Sequence, residues 1–161
     1  MGGTFEMKPS WEYIAAFFDG EGGFIVTYNH SGNPRIRIGL TQVDRSPLDE
    51  IQSVTGGVVH YNIPNKEKQP NQQPWHRLDI TKPEEIMVFL KNIQPHVLRR
   101  QERIALAIAF FETLSNSGRP DLSNVEDLKR RMMHDKIFDL FMDKNECTKG
   151  RKSGRIRRGK I

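Results

Sequence analysis

Two rhythms of apolar residues alternate along this chain, one of period two and one of about 3.6. The clearest strand signal is Arg35-Ile36-Arg37-Ile38-Gly39-Leu40-Thr41-Gln42. Ile36, Ile38 and Leu40 share one face there, and Arg35, Arg37, Gly39 and Thr41 share the other. Phe24 to Tyr28, β-branched and aromatic, predicts a preceding strand across a turn at residues 30–34. Val58 to Asn62 predicts a third strand and Trp75 to Ile80 a fourth, with Leu78 and Ile80 inward and Trp75, Arg77 and Asp79 outward. The helical rhythm fills the gaps. Ser10 can cap a helix from Trp11 to about Asp19 that stops at Gly20-Glu21-Gly22-Gly23. Leu48, Ile51 and Val54 mark a helix over 44–55, closed by Gly56-Gly57. Lys82-Pro83 opens a helix bearing Ile86, Phe89, Leu90 and Ile93. A long helix from Pro95 to about Leu114 and a last one over 125–145 follow, with polar loops at 64–74 and 116–124.

The order is helix, strand, strand, helix, strand, strand, helix, helix, helix. It predicts an α+β fold: a four-stranded antiparallel sheet with helices on one face and additional C-terminal helices. The other face, with its alternate arginines, is left to solvent or to a ligand.

A chain of 161 residues is long enough for one core and short for two domains. We expect a leader over 1–9, a single domain over 10–145 and a tail over 146–161. One cysteine, Cys147, excludes an internal disulfide framework. With no signal-peptide pattern and no membrane-length apolar run, the chain reads as soluble and intracellular, in a prokaryotic cytoplasm or an organelle. The net charge of +5 changes the picture mainly through its distribution. Lys149, Arg151, Lys152, Arg155, Arg157, Arg158 and Lys160 lie in a terminal stretch without acids, and the remaining 18 basic residues face 20 acidic ones. The tail reads as a flexible basic arm able to neutralise phosphates, and any nucleic-acid surface on the body must be a local patch.

The first helix carries the candidate chemistry. Ala16 and Gly20 are four apart, small, and on one face, which lets another helix backbone approach. That seam runs into Asp19-Gly20-Glu21-Gly22, where carboxylates oppose the helix dipole. A hard divalent cation would offset that cost.

Ile14-Ala15-Ala16-Phe17-Phe18-Asp19-Gly20-Glu21-Gly22 resembles the nine-residue motif of the LAGLIDADG homing endonucleases. Ala15, Asp19 and Gly22 are identical to it, and Glu21 stands at its second acid. The element order over about 10–115 is also similar to that family's αββαββα core. The motif occurs once; Ala107-Ile108-Ala109-Phe110-Phe111-Glu112 lacks the Gly-acid-Gly ending. The resemblance implies a site-specific, metal-dependent double-strand DNA endonuclease of intron or intein homing. It further implies a homodimer with Tyr13, Ala16, Phe17 and Gly20 in the interface and a pseudo-palindromic target. An alternative within the same fold is a non-catalytic relative, either a maturase that binds RNA in splicing or a transcription regulator.

The resemblance assigns Glu21 and the carbonyl of Gly20 to Mg²⁺, or to Mn²⁺ or Ca²⁺ at the same position. Asp19 is read as structural. Gln42 resembles the family's water-organising glutamine, Arg45 a second basic group, and Arg100 the basic residue near the scissile phosphate, with Arg99 as fallback. Arg100 would stabilise charge and not act as a base, because a guanidinium does not shed its proton. For reading DNA in the major groove the candidates are Ile25, Thr27, Asn29, Arg35, Arg37, His60, Asn62, Trp75 and Arg77, with the loops 30–34 and 63–74 extending the footprint. His30, His60, His76, His96 and His134 show no pair at a metal-ligand spacing, and His76 is expected partly buried. Met132, Met133 and Met142 are expected to pack in the core.

Overall fold

The structure, a computed structural model, describes residues 7–114 and 123–144. The expected leader (in part) and the basic tail lie outside the described residues. Helix α1 spans Trp11–Glu21, with the Ser10 hydroxyl accepting from the Tyr13 N–H at 3.2 Å. It runs two residues past the predicted stop, so Glu21 is its last residue. Strands β1 (Gly22–Tyr28) and β2 (Pro34–Gln42) form an antiparallel hairpin. Helix α2 (Ser46–Thr55) begins after Asp44, whose carboxylate accepts from the Ser46 N–H at 3.0 Å. Strands β3 (Val58–Asn62) and β4 (Trp75–Ile80) form a second hairpin, and helices α3 (Pro83–Ile93), α4 (Gln101–Leu114) and α5 (Val125–Asp143) complete the order.

The sheet order is β1-β2-β4-β3, antiparallel throughout. β2 and β4 are central, and their inward residues Ile36, Ile38, Leu40, Leu78 and Ile80 are buried against Ile14 and Phe18 of α1, Leu48 and Ile51 of α2, and Ile86, Phe89 and Leu90 of α3. Their burial is the main term holding the sheet to the helices. Helix α5 closes one side: Phe141 meets Phe24 edge-on at 5.1 Å, and Phe138 lies 5.8 Å from Phe110 of α4. No described helix is long and apolar enough to cross a membrane.

Two expectations need correction. The helix predicted from Pro95 starts at Gln101, and residues 95–100 form an irregular turn. The turn is held by the α1 terminus: the Asp19 carboxylate accepts from the N–H groups of Leu98 at 2.7 Å and Arg99 at 3.4 Å. Arg100 adopts a positive φ of 61°, which ends any continuous helix there. Met132 and Met133 are exposed, 65% and 60%, because α5 buries only the face carrying Phe138 and Phe141; Met142 does pack on the core.

Candidate functional site

Residues whose side chains alternate away from the core line the outer face of the sheet, and the register groups them. Ile25 pairs with Arg37 and Thr27 with Arg35; Thr41 and His60 both pair with Arg77; Asn62 pairs with Trp75. The structure therefore brings eight of the nine candidate reading residues onto one surface. The ninth, Asn29, spends its side chain on the hairpin turn, accepting from the Asn33 N–H at 2.8 Å. Among the described residues Arg37 Nε, Asn62 Nδ2 and Arg77 Nε have no hydrogen-bond partner, and a buried donor without a partner costs about 1–3 kcal/mol.

Helix α1 delivers its acid to the edge of that surface. Glu21 is exposed and borders a shallow hollow of about 300 Å³ shared with Gly23, Ile25, Gly39, Thr41 and Arg77. Gly22 makes the sharp passage from helix to strand, because a Cβ there would lie 2.6 Å from Phe18 Cδ2 and from Leu40 Cδ2.

The helix end carries two carboxylates against its own dipole, and the fold compensates part of that charge. Arg100 Nη1 donates to the carbonyls of Phe18 at 3.2 Å and Gly22 at 2.6 Å, and its guanidinium lies over the Phe18 ring at 5.3 Å. Asp19 is satisfied by the 98–99 backbone, in line with a structural role. Glu21 is thus the acid left facing the hollow. Glu12, near the other end of α1, is held below the usual carboxylate range, first by a backbone hydrogen bond and then by His96, 3.9 Å away.

Other candidates lie apart from the hollow. Gln42 pairs in register with His76, on the helix-facing side of the strand, and its amide oxygen accepts from the Val43 N–H at 2.9 Å. Thr41 is the neighbour that reaches the hollow. Arg45 precedes α2 and pairs with Asp49 at 3.0 Å. His76 is half-buried as expected, with Nδ1 3.0 Å from the Val43 carbonyl oxygen. Among the described residues no cluster of three or more His, Cys, Asp or Glu side chains could hold a metal.

A stripe on α1 is left uncovered by the described residues. Tyr13 is 44% exposed, Ala16 and Gly20 are exposed, and a Cβ on Gly20 would meet nothing within 4 Å. Sequence reasoning missed three residues. Arg103 is buried between Phe24 (5.0 Å) and Phe141 (4.4 Å), joining α4 to β1 and α5. Thr41 was seen only as a strand residue, and Asp79 only as an outward one.

A family model described as a LAGLIDADG-like domain matches residues 9–94. No curated protein is significantly similar in sequence. Among solved structures, an archaeal intron-encoded homing endonuclease complexed with DNA superposes with a TM-score of 0.63 at 17% identity, over 89% of this chain and 87% of that one. The homing endonuclease I-CvuI, solved with its target in the presence of calcium, gives 0.59 at 17% identity, over 88% and 83%. The meganuclease I-SmaMI bound to uncleavable DNA gives 0.60 at 17% identity, over 86% of this chain and 45% of that one. At these identities the likeness is one of fold.

Proposed function

Because this chain belongs to the LAGLIDADG-like domain family, we propose that it is a site-specific double-strand DNA endonuclease that acts as a homodimer and depends on a divalent metal ion. The observation that carries this reading is the exposed Glu21 carboxylate at the rim of an open, polar sheet face. Arg35, Arg37 and Arg77 on that face suit a polyanion and can read guanine, and the pleated strands fit a major groove. The DNA complexes of the structural neighbours support the same partner.

The donor chemistry suits Mg²⁺: a carboxylate from Glu21 and a carbonyl from Gly20 are hard oxygen ligands. One chain offers two of them; waters and phosphate oxygens of the substrate complete a Mg²⁺ shell, and a second copy would add its own Glu21. The stripe of exposed Tyr13, Ala16 and Gly20, with the half-buried Phe17, is the surface through which two α1 helices would meet and bring two Glu21 side chains together. A bound divalent ion supplies an activated water and stabilises charge in phosphodiester hydrolysis. This chain's residues hold and orient. Glu21 would hold the ion, Thr41 and Arg77 line the hollow beside it, and Arg100 fixes the helix end from which Glu21 projects. Gln42 and Arg45 would order water and backbone at the flank, on the family's pattern.

The test is incubation of the wild type and Glu21→Gln with plasmid carrying the uninterrupted host gene and Mg²⁺. Removing a group that stabilises transition-state charge costs roughly 10²–10³ in kcat, so the variant should bind its target yet lose cleavage by about that factor. Cleavage that persists in the variant sinks the role of Glu21. Tight specific binding without cleavage by the wild type would favour a non-catalytic nucleic-acid-binding protein.

A further inference from the structure

Asp79 is an acid on a surface proposed to meet a polyanion. It lies on β4 opposite Gly39 of β2 and Val58 of β3, on the outer face, yet it is only 4% exposed. Its neighbours on that face cover it. Arg77 Nη2 donates to Oδ2 at 2.9 Å, and Arg77 Nε lies 2.8 Å from Oδ1 as an ion pair. His60 Nε2 stands 3.7 Å from Oδ2 on the far side. The register dictates this grouping: Arg77 is two residues before Asp79, so both point the same way, and His60 pairs with Arg77. Gly39 beneath makes room for Ile25, since a Cβ there would lie 2.7 Å from Ile25 Cδ1, and would be in ordinary contact with Arg77 Cδ at 3.6 Å.

Stability alone is a poor reason for this arrangement. Removing a carboxylate from water has a cost of its own, which pairing with an arginine only partly offsets. The geometry has a different consequence. The carboxylate lies along the side edge of the guanidinium, hydrogen-bonded at Nη2 and ion-paired, without a hydrogen bond, at Nε, and so restricts a side chain that otherwise samples many rotamers. The end edge, Nη1 and Nη2, is the fork that binds O6 and N7 of guanine.

We infer that Asp79 is a positioning residue for sequence reading: it holds Arg77 by its side edge so that the end edge is presented, already oriented, to a guanine in the major groove. This inference rests on the endonuclease reading above. Pre-ordering removes part of the entropy lost on binding, and it penalises any base that cannot accept the fixed fork. The charge of Arg77 beside Asp79 lets the acid sit on the DNA face without repelling phosphates.

The test is selection of duplexes from a randomised pool by the full-length protein in EDTA, so that bound DNA is recovered uncut. The wild type should enrich a consensus, and Arg77→Ala should erase a guanine at one position of each half-site. Asp79→Asn and Asp79→Ser should each lower the preference for that guanine about tenfold, with the preferences at the other positions unchanged. Retention of the wild-type preference in both Asp79 variants, while Arg77→Ala loses it, overturns the inference and leaves the endonuclease reading intact. Uniform weakening at every position together with a lower Tm also overturns it, because that is what a merely structural Asp79 would do. A wild-type protein that enriches no sequence defeats the endonuclease reading, and the inference with it.

Discussion

Glu21 and Arg100 are separated by about half of the chain and meet at one helix end. The guanidinium bound to the Phe18 and Gly22 carbonyls gives the α1 terminus a positive partner, where the dipole and two carboxylates would otherwise leave only negative charge. Holding that guanidinium requires a backbone φ of 61° at Arg100, a region that costs a side-chain-bearing residue roughly 1–2 kcal/mol. Opposing effects therefore separate two substitutions. Arg100→Ala loses the charge-assisted bonds and keeps the strain; Arg100→Gly loses the bonds and relieves the strain. In urea unfolding, Arg100→Ala should lose about 1.5–3 kcal/mol, and Arg100→Gly should be more stable than Arg100→Ala by about 1 kcal/mol. Equal stabilities for the two would show that the positive φ stores no strain. Asp19 and Glu21 had the same composition signal in the sequence. They part company only because the turn after α3 offers its N–H groups to Asp19.

At the scale of the element, α1 and its C-cap carry two glycines with opposite demands. Gly22 is fixed by its own chain, since a Cβ would sit 2.6 Å from Phe18 and Leu40 side-chain carbons and 2.8 Å from the Phe18 Cα. Gly22→Ala should therefore destabilise the folded monomer by about 1–3 kcal/mol, read as a lower urea midpoint. Gly20 meets nothing within 4 Å of a Cβ, so Gly20→Leu should leave the melting temperature of the monomer within the range of ordinary surface substitutions. If the stripe through Ala16 and Gly20 is the seam between two copies, Gly20→Leu should shift the protein from dimer to monomer in sedimentation and abolish cleavage. A variant that sediments as a dimer would exclude this helix from the interface. The 3.6-residue spacing made both glycines visible, but only the position of Leu40 across the sheet distinguishes them.

Across the whole molecule, the outer helices depend on aromatic contacts that no single segment announces. Phe138 and Phe141 of α5 reach Phe110 and Phe24, and Arg103 lies between the Phe24 and Phe141 rings. His134 sits against the Phe110 ring at 4.3 Å, with Nδ1 2.6 Å from the Thr113 hydroxyl, so it links α5 to α4. Burial pushes the His134 pKa below the usual value; Asp135 raises it and Arg131 lowers it further, each to a smaller extent. The folded protein therefore binds this proton less readily than the unfolded chain does. Stability is full above the unfolded value of about 6.5 and falls as pH drops through the lowered folded value. Melting temperature measured against pH should decline on the acid side for the wild type and decline less for His134→Phe. Parallel curves would remove His134 from the acid response.

The alternating strand from Arg35 to Gln42, the capped helix after Ser10 and the Gly-acid-Gly ending were legible in the sequence, because period-two and period-3.6 burial and backbone punctuation act locally. The element order, the sheet's two faces and the acid at position 21 all follow from them. The sequence pattern failed where partners are distant. It continued the fourth helix back to Pro95 because nothing local reveals that Asp19 would bind the 98–99 backbone. It treated Met132 and Met133 as core because helical spacing does not say how much of a peripheral helix is covered. It saw Arg77 and Asp79 as two outward residues, while the register of β2, β4 and β3 made them one clamped pair beside Glu21. Local periodicity decides which way a side chain points; only the tertiary structure decides what it meets there, since those contacts join residues far apart in the chain.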